Sequence, residues 1–114
     1  RHLKRAGLDY WDMLDVRIYE NFQQFEEMNP HGIRYCMTTK GRRLHTDIQY
    51  QPGGFLLFGK ETKGLAPEIL ERYSEYTIRL PMRNDQRARS LNLSNAVAVV
   101  TYEVLRQWGY PGLV

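Results

Sequence analysis

A polar and basic stretch between residues 81 and 100 has the side chains best suited to chemistry. It reads PMRNDQRARSLNLSNAVAVV, and its basic members are Arg83, Arg87 and Arg89. Asn92 and Ser94 could simply cap the helix that follows, and the arginines could lie on a solvated surface. The loop is nevertheless longer than most strand-to-helix links, and long loops are often functional. Leu91 and Leu93 alternate with its polar residues, a pattern that favours backbone groups around a mostly apolar ligand.

A second candidate loop, GKETKG, has the glycine spacing of a phosphate-binding P-loop between Gly59 and Gly64. A P-loop continues with Lys and then Ser or Thr, whereas Leu65 and Ala66 follow here, so hydrolysis of a nucleoside triphosphate is not favoured. The glycines could equally form a tight turn that needs positive φ. Glu61 between them could be a solvated charge or could accept hydrogen bonds.

The composition restricts the classes of protein that the chain can represent. Its 114 residues suffice for one core, and the net charge of +3 with a pI near 9.1 permits an acidic partner such as RNA. No apolar run approaches the roughly 20 residues that span a bilayer, and no apolar segment follows the basic N-terminus to form a signal peptide. The single cysteine, Cys36, fits a reducing compartment and a packing role, and the histidines show no metal-ligand spacing.

Strand and helix patterns alternate along the chain. The predicted strands are Val16–Tyr19, Ile33–Thr38, Phe55–Phe58 and Tyr76–Leu80. The predicted helices are Phe22–Met28 with Asn21 as N-cap, Pro67–Tyr73 and Ser94–Trp108, after an initial helix end over Arg1–Gly7. Phe55–Phe58 is a continuous apolar run, typical of a strand buried on both faces. The alternation predicts an α/β fold with a largely parallel sheet and helices on both faces.

Ligands of open parallel sheets bind beyond the carboxyl ends of the strands. Three loops follow such ends here: residues 37–41, residues 59–64, and residues 80–82 with the arginine loop. We therefore expect all three loops to meet at one edge of the sheet.

The last helix carries apolar residues on more than one side. Its predicted core face comprises Val97, Val100, Thr101, Val104, Leu105 and Trp108. Val99 and Tyr102 add apolar surface elsewhere. A helix that is apolar beyond one stripe often contacts a second subunit, so the sequence predicts a homodimer.

Five segments spread from residue 3 to residue 112 resemble the SPOUT superfamily of RNA methyltransferases. They are LKRAGLDYW, MTTKG, FLLFGKETKGL, IRLPM and SLNLSNAVAVVTYEVLRQWGYPG. Within the superfamily they look most like the bacterial enzymes that methylate the wobble ribose of tRNA. The resemblance implies a deep C-terminal trefoil knot, bound S-adenosylmethionine, a cytoplasmic homodimer and methyl transfer to a ribose 2′-hydroxyl of tRNA, without a metal or a membrane.

The resemblance also implies roles for individual residues. The cofactor would contact Met37, Gly59, Glu61, Leu80, Ser90, Leu91 and Leu93. Ser90 and Asn92 match the polar positions that order the catalytic site, and Arg83, Arg87 and Arg89 would face the RNA.

Two further expectations follow from the resemblance. Residues 1–114 would be a single domain whose first strand and first motif, with its catalytic arginine, lie upstream of Arg1, and a chain without that arginine would be inactive. A non-catalytic RNA-binding module with the same fold is the alternative to the enzyme.

Overall fold

The computed structural model describes residues 14–82 and 92–114. The chain divides into two compact units, residues 1–30 and 31–114, and each is described by itself. The predicted helix end at Arg1–Gly7 lies outside the described residues.

The first unit contains helix α1, Phe22–Met28, with the bounds and the N-cap that the sequence predicts. The Asn21 side chain accepts a hydrogen bond from the backbone N–H of Gln24 at 2.8 Å, and the Gln24 side chain accepts one from Glu20 N–H at 2.7 Å. The first bond satisfies an N–H group of the first helical turn, and the second ties Glu20, which precedes the N-cap, to that turn. Tyr19 packs edge-on against Phe25, with ring centroids 5.4 Å apart.

The strand predicted at Val16–Tyr19 is wrong. Residues 15–19 have no regular secondary structure, and Val16 and Ile18 are both exposed. Alternating residue types indicate only that a segment is compatible with a strand, and a strand also needs a neighbour to complete its hydrogen bonds. Among the described residues of this unit there is no such neighbour.

The second unit contains a four-stranded sheet in which every pairing is parallel. The strands are β1 (Arg34–Met37), β2 (Arg43–Leu44), β3 (Phe55–Leu57) and β4 (Thr77–Arg79), in the order β2-β4-β1-β3. The parallel sheet and three of its strands are therefore confirmed, each strand being shorter than predicted. Tyr76 belongs to a single 3-10 turn, Ser74–Tyr76, and β2 is an addition to the predicted set.

Two helices complete the described part of this unit. Helix α2, Pro67–Arg72, begins at the predicted proline, and helix α3, Leu93–Gln107, begins and ends one residue earlier than predicted. The Asn92 side chain accepts hydrogen bonds from the backbone N–H of Ser94 at 2.9 Å and from its hydroxyl at 2.6 Å. The capping interpretation of Asn92 is thus confirmed.

In the core, the sheet packs against α3 together with the segment before β3, which contains Ile48 and Tyr50. The buried members of the core are Tyr35, Ile48, Tyr50, Ile78, Leu80, Ala96, Val100 and Val104. Cys36 is fully buried, as expected of a packing residue, and this burial raises the pKa of its thiol to about 11. The run Phe55–Leu57 is only half-buried, so the expectation that both faces of this strand are covered is wrong.

The predicted core face of α3 is only partly correct. Val100 and Val104 are buried, whereas Val97 is 37% exposed and Trp108 is 41% exposed. The buried stripe instead comprises Ala96, Val100, Glu103 and Val104. A small alanine and a charged glutamate carry too little apolar signal to reveal a core face from the sequence.

Neither a spanning helix nor a candidate metal cluster occurs in residues 14–82 and 92–114. No helix there is long and apolar enough to cross a membrane. No three His, Cys, Asp or Glu side chains there are grouped so that they could hold a metal ion.

A hydrogen-bond network fastens the end of α3 to the segment before β3. Glu103, only 8% exposed, accepts two bonds from Arg106 and one from Gln107, all at 2.9 Å. Gln107 also donates to the Ile48 carbonyl at 2.9 Å and accepts from the Tyr50 N–H at 3.1 Å. The network satisfies backbone groups of a segment that pairs with no strand among the described residues.

The Glu103 carboxylate makes the free energy of unfolding depend on pH. Its hydrogen bonds from Arg106, followed by the one from Gln107, lower its pKa from 4.5 to about 2. A carboxyl group whose pKa is lower in the folded state stabilises the fold above its unfolded pKa, and this contribution is lost as the pH falls. We expect stability to fall between about pH 4.5 and pH 2, and Glu103→Gln to flatten that part of the profile.

Urea denaturation at pH 7 and at several values down to pH 2.5 measures this effect (roughly the range in which native carboxylates titrate). Glu71→Gln, which removes an exposed carboxylate from α2, is the matched control. Its free energy of unfolding should fall at acidic pH by the same amount as that of the wild type. If Glu103→Gln and wild type lose the same unfolding free energy as the pH falls, the acid dependence does not come from Glu103.

Candidate functional site

The carboxyl ends of β1, β3 and β4 meet at one pocket, as the three loops predict. The cavity measures about 560 Å³, within the roughly 300–1,000 Å³ typical of sites for small molecules. Its lining residues are Met37, Thr38, Thr39, Lys40, Phe58, Gly59, Lys60, Glu61, Thr62, Lys63, Gly64, Leu65, Leu70, Leu80, Met82, Leu93 and Ala96.

The first wall is the turn after β1, which is held against β4. Thr38 donates its N–H to the Ile78 carbonyl, and Gly41 donates to the Thr38 carbonyl, both at 3.0 Å. A side chain at Gly41 would overlap the backbone of Ile78 and Arg79, so only glycine permits this approach. The Arg79 guanidinium also donates to the Gly41 carbonyl at 2.8 Å. The turn therefore has little freedom to move relative to the sheet.

The second wall is the turn Lys60–Gly64 after β3. The Gly64 N–H donates to the Lys60 carbonyl at 2.7 Å, and these two residues form an isolated antiparallel bridge. Gly64 has a φ of +71°, which explains a glycine at that position. Gly59 is needed for a different reason, because a Cβ there would overlap the Gly64–Leu65 peptide. Gly64 thus permits the turn through its backbone conformation, and Gly59 permits it through close packing.

The third wall combines the end of β4 with the start of α3. Leu80 is buried and Met82 is half-buried, and both line the pocket. Leu93 and Ala96, one helical turn apart, line it from α3. Residues separated by more than fifty positions in the chain therefore share one cavity.

The lining combines apolar walls with a polar mouth. Met37, Phe58, Leu65, Leu70 and Leu80 supply apolar surface, and the residues of the turns supply backbone groups and exposed polar side chains. Such a lining suits an amphipathic small molecule whose apolar part is buried and whose polar part reaches the loops.

Comparison with known protein families shows to which family this chain belongs. The model of the SpoU rRNA methylase family matches residues 1–102. The chain belongs to the SpoU rRNA methylase family. The match includes all three loops that form the pocket.

Members with a defined substrate are similar to this chain over nearly its whole length. The tRNA (cytidine(34)-2'-O)-methyltransferase of Escherichia coli K12 is 47% identical, over all of this chain and 72% of that protein. The enzyme of the same name from Aeromonas hydrophila is 46% identical, over 98% of this chain and 71% of that protein.

Two solved structures share the fold. One, concerned with the 2-OH methylation of C/U34 on tRNA, superposes with a TM-score of 0.85 at 39% identity, covering 94% of this chain and 68% of that one. A crystal structure from Bacillus anthracis superposes with a TM-score of 0.87 at 39% identity, covering 98% of this chain and 71% of that one.

The predicted site residues divide into three groups. Those that line the pocket are Met37, Gly59, Glu61, Leu80 and Leu93. Those outside the described residues are Arg83, Arg87, Arg89, Ser90 and Leu91. Asn92 is described, but it caps α3 and does not line the pocket.

Sequence reasoning missed several lining residues. Leu70 and Ala96 lie on helices rather than at strand ends, and Ala96 could have been found from its spacing of three from Leu93. Lys60 and Lys63 gave no sequence signal of their own, because lysines in a polar turn are typical of a solvated surface. Their positions on the turn that closes the second wall were a usable signal.

The packing of Gly59 leads to a prediction about stability. Gly59→Ala would push a methyl group into the Gly64–Leu65 peptide, so we expect it to lower the free energy of unfolding by about 1–3 kcal/mol. Thr62→Ala, at an exposed position of the same turn, should change it by less than about 0.5 kcal/mol. Chemical denaturation of both variants provides the measurement. Wild-type stability in Gly59→Ala would show that the turn relaxes freely.

Proposed function

We propose that this chain acts in the S-adenosylmethionine-dependent methylation of a ribose 2′-hydroxyl in tRNA, at nucleotide 34 of the anticodon. The observation that carries the proposal is the pocket at the strand ends, found in a chain 47% identical to a tRNA (cytidine(34)-2'-O)-methyltransferase. A solved structure concerned with methylation of C/U34 on tRNA has the same fold and supports the same target.

The residues present fit the cofactor. Met37, Leu80 and Leu93 would contact its adenosine through apolar surface, and the tightly packed turn after Gly59 leaves backbone groups free to approach it. Glu61 at the mouth could accept hydrogen bonds from its polar end. Ser90 and Leu91 would complete the cradle, with the C-terminal part of the chain threaded as a trefoil knot.

The reaction needs alignment and removal of a proton. S-adenosylmethionine supplies a methyl group attached to a positively charged sulfur. Because a ribose hydroxyl is a weak nucleophile, the protein must hold it in line with that methyl group and help remove its proton. We assign the ordering of the ribose to Ser90 and Asn92, and contacts with RNA phosphates to Arg83, Arg87 and Arg89.

A homodimer is part of the proposal. Val99 and Tyr102, three positions apart on one side of α3, are 43% and 60% exposed. A second copy of the chain would cover this side of the helix while the buried stripe of α3 stays on the core.

The test is methyl transfer to unmodified tRNA. The protein, expressed from its complete reading frame, is incubated with S-adenosylmethionine and tRNA transcript, and the products are digested and mapped by mass spectrometry. We expect one added methyl group on the ribose of nucleotide 34. Tight binding of tRNA without any transfer would instead favour a non-catalytic RNA-binding module with this fold.

Asn92 has a capping role that must be separated from its proposed role in catalysis. Asn92→Ala removes the cap and should cost about 1 kcal/mol of stability, whereas Asn92→Ser keeps a capping oxygen and should cost less than about 0.5 kcal/mol. If the amide also orders the ribose, both variants lower kcat at least tenfold (roughly 1.4 kcal/mol of transition-state stabilisation). Wild-type kcat in the stable Asn92→Ser would show that capping is its whole role.

A further inference from the structure

The mouth of the pocket is unusually rich in positive charge. Its charged lining residues are Lys40, Lys60, Lys63 and Glu61, so three ammonium groups face one carboxylate. Lys40 lies on the turn after β1, and the other three lie on the turn after the neighbouring strand β3. We call Lys40, Lys60 and Lys63 the lysine rim.

The lysine rim has no partner within the described part of the protein. No carboxylate of residues 14–82 or 92–114 lies within 4.0 Å of these ammonium groups, and Glu61 pairs with none of them. Three arginines, by contrast, are engaged: Arg17 with Asp15, Arg106 with Glu103, and Arg79 with the Gly41 carbonyl. The rim therefore keeps its charge available for an external anion.

Lys60 and Lys63 start from a rigid backbone. The turn that carries them is closed by the Gly64-to-Lys60 hydrogen bond of 2.7 Å and is packed against Gly59. A preorganised turn has less backbone freedom to lose when it binds, so more of the electrostatic attraction remains as affinity.

Two anions could reach the rim: the carboxylate of the cofactor and the phosphates of RNA. S-adenosylmethionine carries one carboxylate beside an ammonium and a sulfonium group, so a cluster of three cations would on balance repel it. An RNA strand offers one phosphate per nucleotide and matches several cations at once. The charge count thus favours RNA.

We infer that the lysine rim binds RNA phosphates next to the target nucleotide. This inference rests on the proposed function and adds a second contact surface to the arginine loop. Lysine acts on a phosphate as a point charge and reads no base, so the rim would place the strand over the pocket without choosing its sequence.

The test compares a variant that loses the charge of the rim with one that keeps it, by their binding to tRNA at several salt concentrations. Lys60→Gln/Lys63→Gln should weaken binding to unmodified tRNA about tenfold or more at low salt. Loss of two phosphate contacts should reduce the slope of log affinity against log salt by about 1.4, at roughly 0.7 for each single-strand phosphate. Lys60→Arg/Lys63→Arg should keep both the affinity and the slope, because it retains the charge.

The control removes two positive charges at the edge of the sheet opposite β3. Arg42→Gln/Arg43→Gln changes two exposed arginines at the start of β2 that do not line the cavity, so it loses as much charge as the lysine variant. We expect a loss of less than about threefold, because β2 and β3 are opposite edge strands of the sheet and exposed charges are screened over about 10 Å. Calorimetry with S-adenosylmethionine alone should show no loss of affinity in any variant, because removing cations cannot weaken the binding of a ligand that they on balance repel.

The outcomes separate this inference from the proposed function. If the lysine variant loses cofactor affinity while its RNA affinity matches Arg42→Gln/Arg43→Gln, the rim serves the cofactor and the inference is wrong. If its RNA affinity and salt slope match wild type, the rim is only solvated surface and the inference is again wrong. Failure of the wild-type protein, expressed from its complete reading frame, to methylate any tRNA would instead count against the proposed function itself.

Discussion

The parallel pairing of β1 with both β3 and β4 is the constraint on which the rest of the second unit depends. Cys36 lies opposite Leu57 on one side and Thr77 on the other, so three strands run in the same direction and end at the same edge. Parallel neighbours cannot be joined by a tight hairpin, so the chain must cross back between them each time. The loops that leave the shared edge are therefore distant in sequence and adjacent in space. The pocket is a direct consequence of that pairing.

Helix α3 connects this edge to the remainder of the core. Its first turn contributes Leu93 and Ala96 to the pocket, and its last turn holds the segment before β3 through Gln107. Glu103 orients Gln107 by accepting its amide hydrogen bond while Arg106 offsets the buried charge. Helix α3 thus forms part of the third wall of the pocket. It also holds the segment that leads into β3, the strand before the second wall. A change at its far end would be felt at the site through rigid elements.

Much of the fold was predictable because its signals are local. Asn21 and Pro67 mark helix starts by their own chemistry, and the apolar runs around Tyr35 and Leu56 are typical of strands. Strand β2 has two residues, too few for a pattern, and exists because Arg43 and Leu44 pair with β4. The strand predicted at Val16–Tyr19 failed for the opposite reason, since its pattern is present but the described residues of its unit include no strand to pair with it.

The site was predictable to a similar extent. The convergence of three strand ends follows from parallel topology, and five of the proposed cofactor contacts line the pocket. The reason for Gly59 was not predictable, because the overlap with the Gly64–Leu65 peptide depends on how the turn folds back. The true core face of α3 was also hidden, since Glu103 is buried only by virtue of its partners Arg106 and Gln107.

The contribution of α3 to the pocket determines when the site can form during synthesis. The turns after β1 and β3 leave the ribosome well before Leu93 and Ala96, yet they enclose no complete cavity until that helix has packed against them. Contacts between residues so far apart in sequence form late, because the intervening chain must first be ordered. A nascent chain therefore has the sheet edge before it has the complete pocket, and the pocket is finished only when α3 packs.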